Sequence, residues 1–169
     1  MIQRFNQPIW WVVVGAIAVG LVMAGVLMVL RPQPPISADI QKQLSFALIY
    51  PAASIGYVID QSTVTYNGQA KALTFTAAGS SNRLVFSEQA TPETFSDIPD
   101  YYQKLTEKLH DYEDFDSTVG HVALTRPDEL HGGQSAVMNG SGTLMFVHPN
   151  RDLSADAWRK LFNNLQVSK

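Results

Sequence analysis

Residues 63–88 read TVTYNGQAKALTFTAAGSSNRLVFSE, and this stretch decides the fold. Thr63, Val64, Thr65 and Tyr66 are residue types that suit a pleated surface. Asn67-Gly68 tolerates positive φ and reads as a tight hairpin turn into a strand at 72–77. A second turn at 79–82 leads to a strand at 83–88 that places Leu84 and Phe86 on one face. Successive strands joined by short turns predict an antiparallel meander.

Toward the amino terminus, 57–59 reads as a further strand. Leu44, Phe46, Leu48 and Tyr50 alternate with smaller or polar neighbours in a strand that Pro51 ends, and Ser37 caps a short helix at 38–43. Toward the carboxyl terminus, Tyr101, Tyr102, Leu105, Leu109 and Tyr112 recur at three and four, predicting a helix over 100–112 with Asp97 as its cap. Strands at 118–124 and 134–138 follow, then a turn flanked by Gly140 and Gly142, and a last strand at 144–148. Leu153, Ala157, Trp158, Leu161, Phe162 and Leu165 form one stripe of a final helix, with Ser154 at its cap and Leu153 placed to staple onto Trp158. The fold class is α+β, a mostly antiparallel β-sheet packed with helices over residues 37–169.

Ahead of that domain the sequence changes character. Residues 9–30, IWWVVVGAIAVGLVMAGVLMVL, carry no charged side chain. At about 1.5 Å per residue such a helix reaches about 33 Å, enough to cross a hydrocarbon core of about 30 Å. Trp10 and Trp11 suit the headgroup region at one end, and Arg31-Pro32 closes the other. The apolar run exceeds the 7–15 residues of a cleaved signal peptide, so an N-terminal transmembrane signal anchor is expected, in contact with membrane lipid. Residues 1–8 form a short tail and 31–36 a Pro-rich spacer. Ala16, Gly20 and Ala24 make a small-residue stripe through which a second membrane helix can approach closely, as in a homodimer; the alternative is that Gly and Ala are simply common in membrane spans.

Arg4 on one side against Arg31 and Lys42 on the other does not decide orientation. Residues 33–169 carry 38 Ser, Thr, Asn and Gln against 25 charged residues, a polar but weakly charged surface typical of exported domains. The expectation is a single-pass protein of the cell membrane with its C-terminal domain extracytoplasmic. With no cysteine, neither a disulfide framework nor thiol catalysis is available.

No catalytic or cofactor signature stands out. The domain carries 10 Lys/Arg against 15 Asp/Glu, which argues against nucleic acid as a partner. Residues 111–116, DYEDFD, offer several oxygens to a calcium ion but lack the glycine and distant glutamate of an EF-hand loop; an acidic helix end is the plainer reading. His110, His121, His131 and His148 show no metal-ligand spacing, and His131-Gly132-Gly133 lacks a companion nucleophile elbow. Asn139-Gly140-Ser141 is a formal glycosylation triplet that also reads as a turn. Tyr50, Tyr57, Tyr66, Tyr101, Tyr102 and Tyr112 are the remaining candidates, as an interface or groove, or as seals on the edge of a small core.

Tyr50-Pro51, Gly56-Tyr57, Ser87-Glu88-Gln89, the Gly-led strand at 142–147 and the closing helix together resemble bacterial membrane-anchored extracytoplasmic domains of unknown function. In outline the domain is also similar to the Mog1/PsbP-like sandwich found in accessory and assembly factors. The resemblance implies a non-catalytic binding or accessory role by contact with a protein or envelope partner. The alternative is an extracytoplasmic sensor or carrier holding an apolar small ligand between sheet and helix.

Overall fold

The computed structural model describes residues 36–98, 100–126 and 133–168. The chain divides into two units, Met1–Gln33 and Pro34–Lys169. The expected membrane helix, with Ala16, Gly20 and Ala24, and residues 31–35 of the spacer lie outside the described residues. Among the described residues no helix is long and apolar enough to cross a membrane.

In chain order the second unit runs α1 (Ala38–Gln41), β1 (Leu48–Pro51), a 3-10 turn (Ala53–Ile55), β2 (Val58–Asn67), β3 (Ala72–Ala78), β4 (Arg83–Ala90), α2 (Thr94–Asp97) and α3 (Tyr101–Lys108). It continues through β5 (Asp111–Asp116), β6 (His121–Thr125), β7 (Ser135–Gly140), β8 (Thr143–Pro149), α4 (Ala155–Phe162) and β9 (Leu165–Ser168). Seven strands form one sheet in the order β2-β3-β4-β8-β7-β6-β5, and β1 pairs with β9 in a separate ribbon. Every pairing is antiparallel.

Because side chains alternate across a strand, the register builds continuous rows on each face. One row runs Phe75, Phe86, Val147, Ala136, Leu124 from β3 to β6, and all five are wholly buried. The Phe75 and Phe86 rings stack with centroids 4.9 Å apart. The next row runs Leu73, Glu88, Met145, Met138, Val122, Phe115, so a glutamate stands in an otherwise apolar line. Trp158, Leu161 and Phe162 of α4 join this core, as do Leu48 and Ile49 of β1 and Leu165 of β9. The buried face is therefore covered by one helix and one ribbon.

The α4 cap forms as the sequence predicts: Ser154 Oγ accepts from the Ala157 amide at 3.3 Å. Buried Gln134 then sets the helix in place, its Oε1 accepting from Leu153 N at 2.8 Å and Trp158 Nε1 at 3.0 Å. The β7–β8 loop is Ser141-Gly142, both at positive φ (53° and 75°), the conformation of a two-residue hairpin. Beside it, Gly140 and Gly120 bring two backbones together. A Cβ on Gly140 would lie 2.1 Å from the Val119 carbonyl oxygen, and one on Gly120 2.5 Å from that of Asn139.

Several expectations are corrected. The strand expected from Leu44 begins only at Leu48 and includes Pro51; Leu48 and Ile49 are both buried, because β1 packs as part of a ribbon instead of presenting one face. The two short runs at 57–66 are one strand with an irregular register between Asp60 and Thr65. The Asn67-Gly68 turn is wider than a two-residue hairpin. Asn67 Oδ1 accepts from the Gln69 and Ala70 amides, and the left-handed residue is Lys71, at φ 50°. The helix expected over 100–112 ends at Lys108, and Asp97 belongs to α2 rather than capping it. Residues 111–116 form an edge strand and not an acidic helix end, because Phe115 enters the core row beside Val122. Leu165 leaves the α4 stripe to begin β9, so the strand at 143–149 is not the last.

Candidate functional site

The face of the sheet opposite α4 is covered only in part. There α2 and α3 form a short layer, divided at Asp100, which adopts φ 59° and gives α3 no side-chain cap. Aspartate visits this left-handed region more readily than most residues. Thr106 is the one fully buried residue of α3.

On its inner side α3 is pinned by Tyr102. The phenol hydroxyl donates toward the Val137 carbonyl at 2.8 Å, with that of His121 at 3.2 Å. Its ring meets His121 edge-on at 5.7 Å and Phe95 at 6.0 Å. Burial drives the Tyr102 pKa far above its ordinary 10.0, and Asp111 and Asp114 push the same way against the lowering effect of a backbone hydrogen bond. The hydroxyl thus stays protonated and remains a donor. His121 in turn sits between two carboxylates, Nδ1 at 2.8 Å from Asp116 Oδ1 and Nε2 at 3.5 Å from Asp114 Oδ2. These groups border a polar pocket of about 250 Å³ that Gln103, Thr106 and Asp111 complete. Among the described residues no group of His, Asp and Glu is arranged to hold a metal ion. The acidic strand instead spends its carboxylates locally, on His121 and, through Glu113, on Arg159 at 2.7 Å.

On its outer side α3 lines an open groove of about 500 Å³ with Ile98, Tyr101 and Leu105 as apolar walls and Lys104, Glu107 and Lys108 around them. Ile98 is 40% exposed, and Tyr101 is steadied by the Phe95 ring at 5.1 Å. Ile98 precedes α3, and Tyr101 and Leu105 on the helix are partly exposed beside it.

The six candidate tyrosines do not form one surface. Tyr50, Tyr57 and Tyr66 pack against the core. Tyr57 accepts from Asn82 Nδ2 at 2.9 Å, Tyr66 donates to the Gln43 carbonyl at 3.1 Å, and burial raises the Tyr50 pKa. Tyr101 and Tyr102 lie together on α3, on either side of Phe95. Tyr112 stands half exposed on β5 with the Arg126 guanidinium 5.9 Å over its ring. Of the histidines, His131 falls outside the described residues. His148 Nδ1 lies 2.9 Å from Ser135 Oγ, an exposed cross-strand pair in which no described carboxylate orients the imidazole.

Sequence reasoning missed one group, Glu88. It is 1% exposed, its Oε2 accepts from the Ile49 amide at 3.2 Å, and its Oε1 has no partner. Burial holds its carboxyl well above the usual range, with the Ile49 hydrogen bond acting in the opposite direction. The signal was present in the sequence: the Leu84, Phe86 alternation points its next member, residue 88, into the core.

No protein-family model matches the chain, and neither a curated protein nor a solved structure does.

Proposed function

We propose that the chain is a single-pass, membrane-anchored extracytoplasmic binding module without a catalytic role, acting through the outer side of α3. Apolar side chains of a partner protein enter between Ile98, Tyr101 and Leu105, and the mixed charges of Lys104, Glu107 and Lys108 set their orientation. The observation that carries this reading is the contrast between a filled core and an apolar-walled groove: Phe75, Phe86, Trp158 and Phe162 are wholly buried, while Ile98 is exposed and Tyr101 and Leu105 are only partly covered. A rigid tyrosine anchored by a neighbouring ring is the residue type that concentrates binding energy at interfaces. The apolar run at 9–30 supports the anchor, its Ala16-Gly20-Ala24 stripe supports pairing of two such helices, and the resemblance to membrane-anchored extracytoplasmic domains points the same way.

The test is site-specific photo-cross-linking of the full-length chain in intact cells. The expected result is one adduct shared by probes at positions 98, 101 and 105, absent from a probe at exposed position 69 and lost in Leu105→Gln. Equal adduct from position 69, or none from the groove, overturns the docking site. Orientation is read separately with a membrane-impermeant amine reagent, which should label exposed Lys71 before lysis; labelling only after lysis reverses the topology.

A further inference from the structure

The β1–β9 ribbon has a free edge on β1, and a side chain rather than a strand meets it. Glu88 reaches from the middle of the sheet to the Ile49 amide at 3.2 Å, standing in for a strand partner. The groups facing Glu88 from the elements packed on it are Leu73 of β3 and Met145 of β8, which flank it in the row, and Ile49 of β1; none is ionisable. The titratable groups those elements carry lie elsewhere. Tyr50 follows Ile49 on β1, Tyr66 lies beyond Leu73 on β2, and His148 is on the opposite face paired with Val85. On α4, Asp156, Arg159 and Lys160 are exposed, and β9 carries no ionisable side chain among Leu165–Ser168. An ionised Glu88 would therefore have one amide donor, no cation and an unpartnered second oxygen inside an apolar core, the arrangement in which a buried charge is most costly.

We infer that Glu88 is a proton-controlled clasp: with its proton in place it holds the β1–β9 ribbon on the sheet, and loss of that proton to solvent frees the ribbon. This does not depend on the groove of α3. Beyond Glu88, the ribbon side is joined to the sheet by Thr143 Oγ1, which donates to the Ala47 carbonyl at 2.7 Å, and by Leu48, Ile49 and Leu165 packed in the core.

The direction follows from linkage. The closed state binds the proton more tightly than an open state whose Glu88 has the ordinary carboxyl value near 4.5. Closure is then strongest at and below that pH and weakens as pH rises above it, by up to about tenfold per pH unit, until the closed-state value is passed.

The test is amide hydrogen exchange of the full-length chain in detergent from pH 5 to 8, corrected for intrinsic base catalysis. Protection of Ile49, Tyr50 and Gln166 should fall relative to Phe75 and Phe86 in the native chain and stay level in Glu88→Gln. A ratio that does not change with pH in the native chain, or an equal slope in Glu88→Gln, overturns the clasp. Should Glu88→Gln fail to fold, the carboxyl ¹³C titration of Glu88 in the native chain decides: a midpoint above 4.5 supports the clasp, and one at or below it overturns it.

Discussion

Helices α3 and α4 are each eight residues long and pack on opposite faces of the same sheet, yet they are held by different forces. Trp158, Leu161 and Phe162 of α4 are no more than 1% exposed, so its hold is the apolar area withdrawn from water. Only Thr106 of α3 is buried, and its tie to the sheet is the Tyr102 hydroxyl and the ring contacts beside it. A helix fixed by burial stabilises the fold and leaves polar side chains such as Asp156, Arg159 and Lys160 exposed. A helix fixed by a few polar contacts leaves its apolar side chains open to a partner.

Three substitutions probe that contrast, read from urea unfolding of the full-length chain. Trp158→Ala should cost about 3–5 kcal/mol, since it empties a wholly buried site and orphans Gln134 Oε1 on one side; a loss under about 1 kcal/mol would break the distinction. Tyr102→Phe should cost about 1 kcal/mol, because it keeps the ring but removes the hydroxyl's hydrogen bond to the Val137 carbonyl. An effect as large as that of Trp158→Ala would mean that α3 is part of the core. Leu105→Gln, at a partly buried position, should cost less than about 1 kcal/mol while abolishing the groove adduct, and a loss approaching that of Trp158→Ala would make Leu105 a packing residue instead of a contact residue.

The legible parts of the sequence were those in which local chemistry and tertiary position agree. The strands at 72–77 and 83–88 carry alternation that burial rewards, and Ser154 caps α4 from within its own turn. Legibility failed where long-range pairing overrode local pattern. DYEDFD looks polar enough for a helix end, but β6 recruits it as an edge strand and Phe115 meets Phe162 across the core at 6.0 Å. Leu165 continues the α4 period, but β1, more than a hundred residues earlier, draws it into a ribbon. The groove was half legible. Tyr101 was among the candidate residues, but Ile98 was not, and the other five tyrosines lie apart from the groove.

Taken alone, the sequence determined a mostly antiparallel sheet, the position of its best turns and the apolar stripe of its closing helix, because these rest on periodicity and on contacts between near neighbours. Tertiary structure alone decided which helix would be buried and which left partly open, that β1 and β9 would pair, and that nothing would meet the second oxygen of Glu88. Those outcomes depend on strand register, which brings residues distant in the chain into one row and assigns each side chain its face.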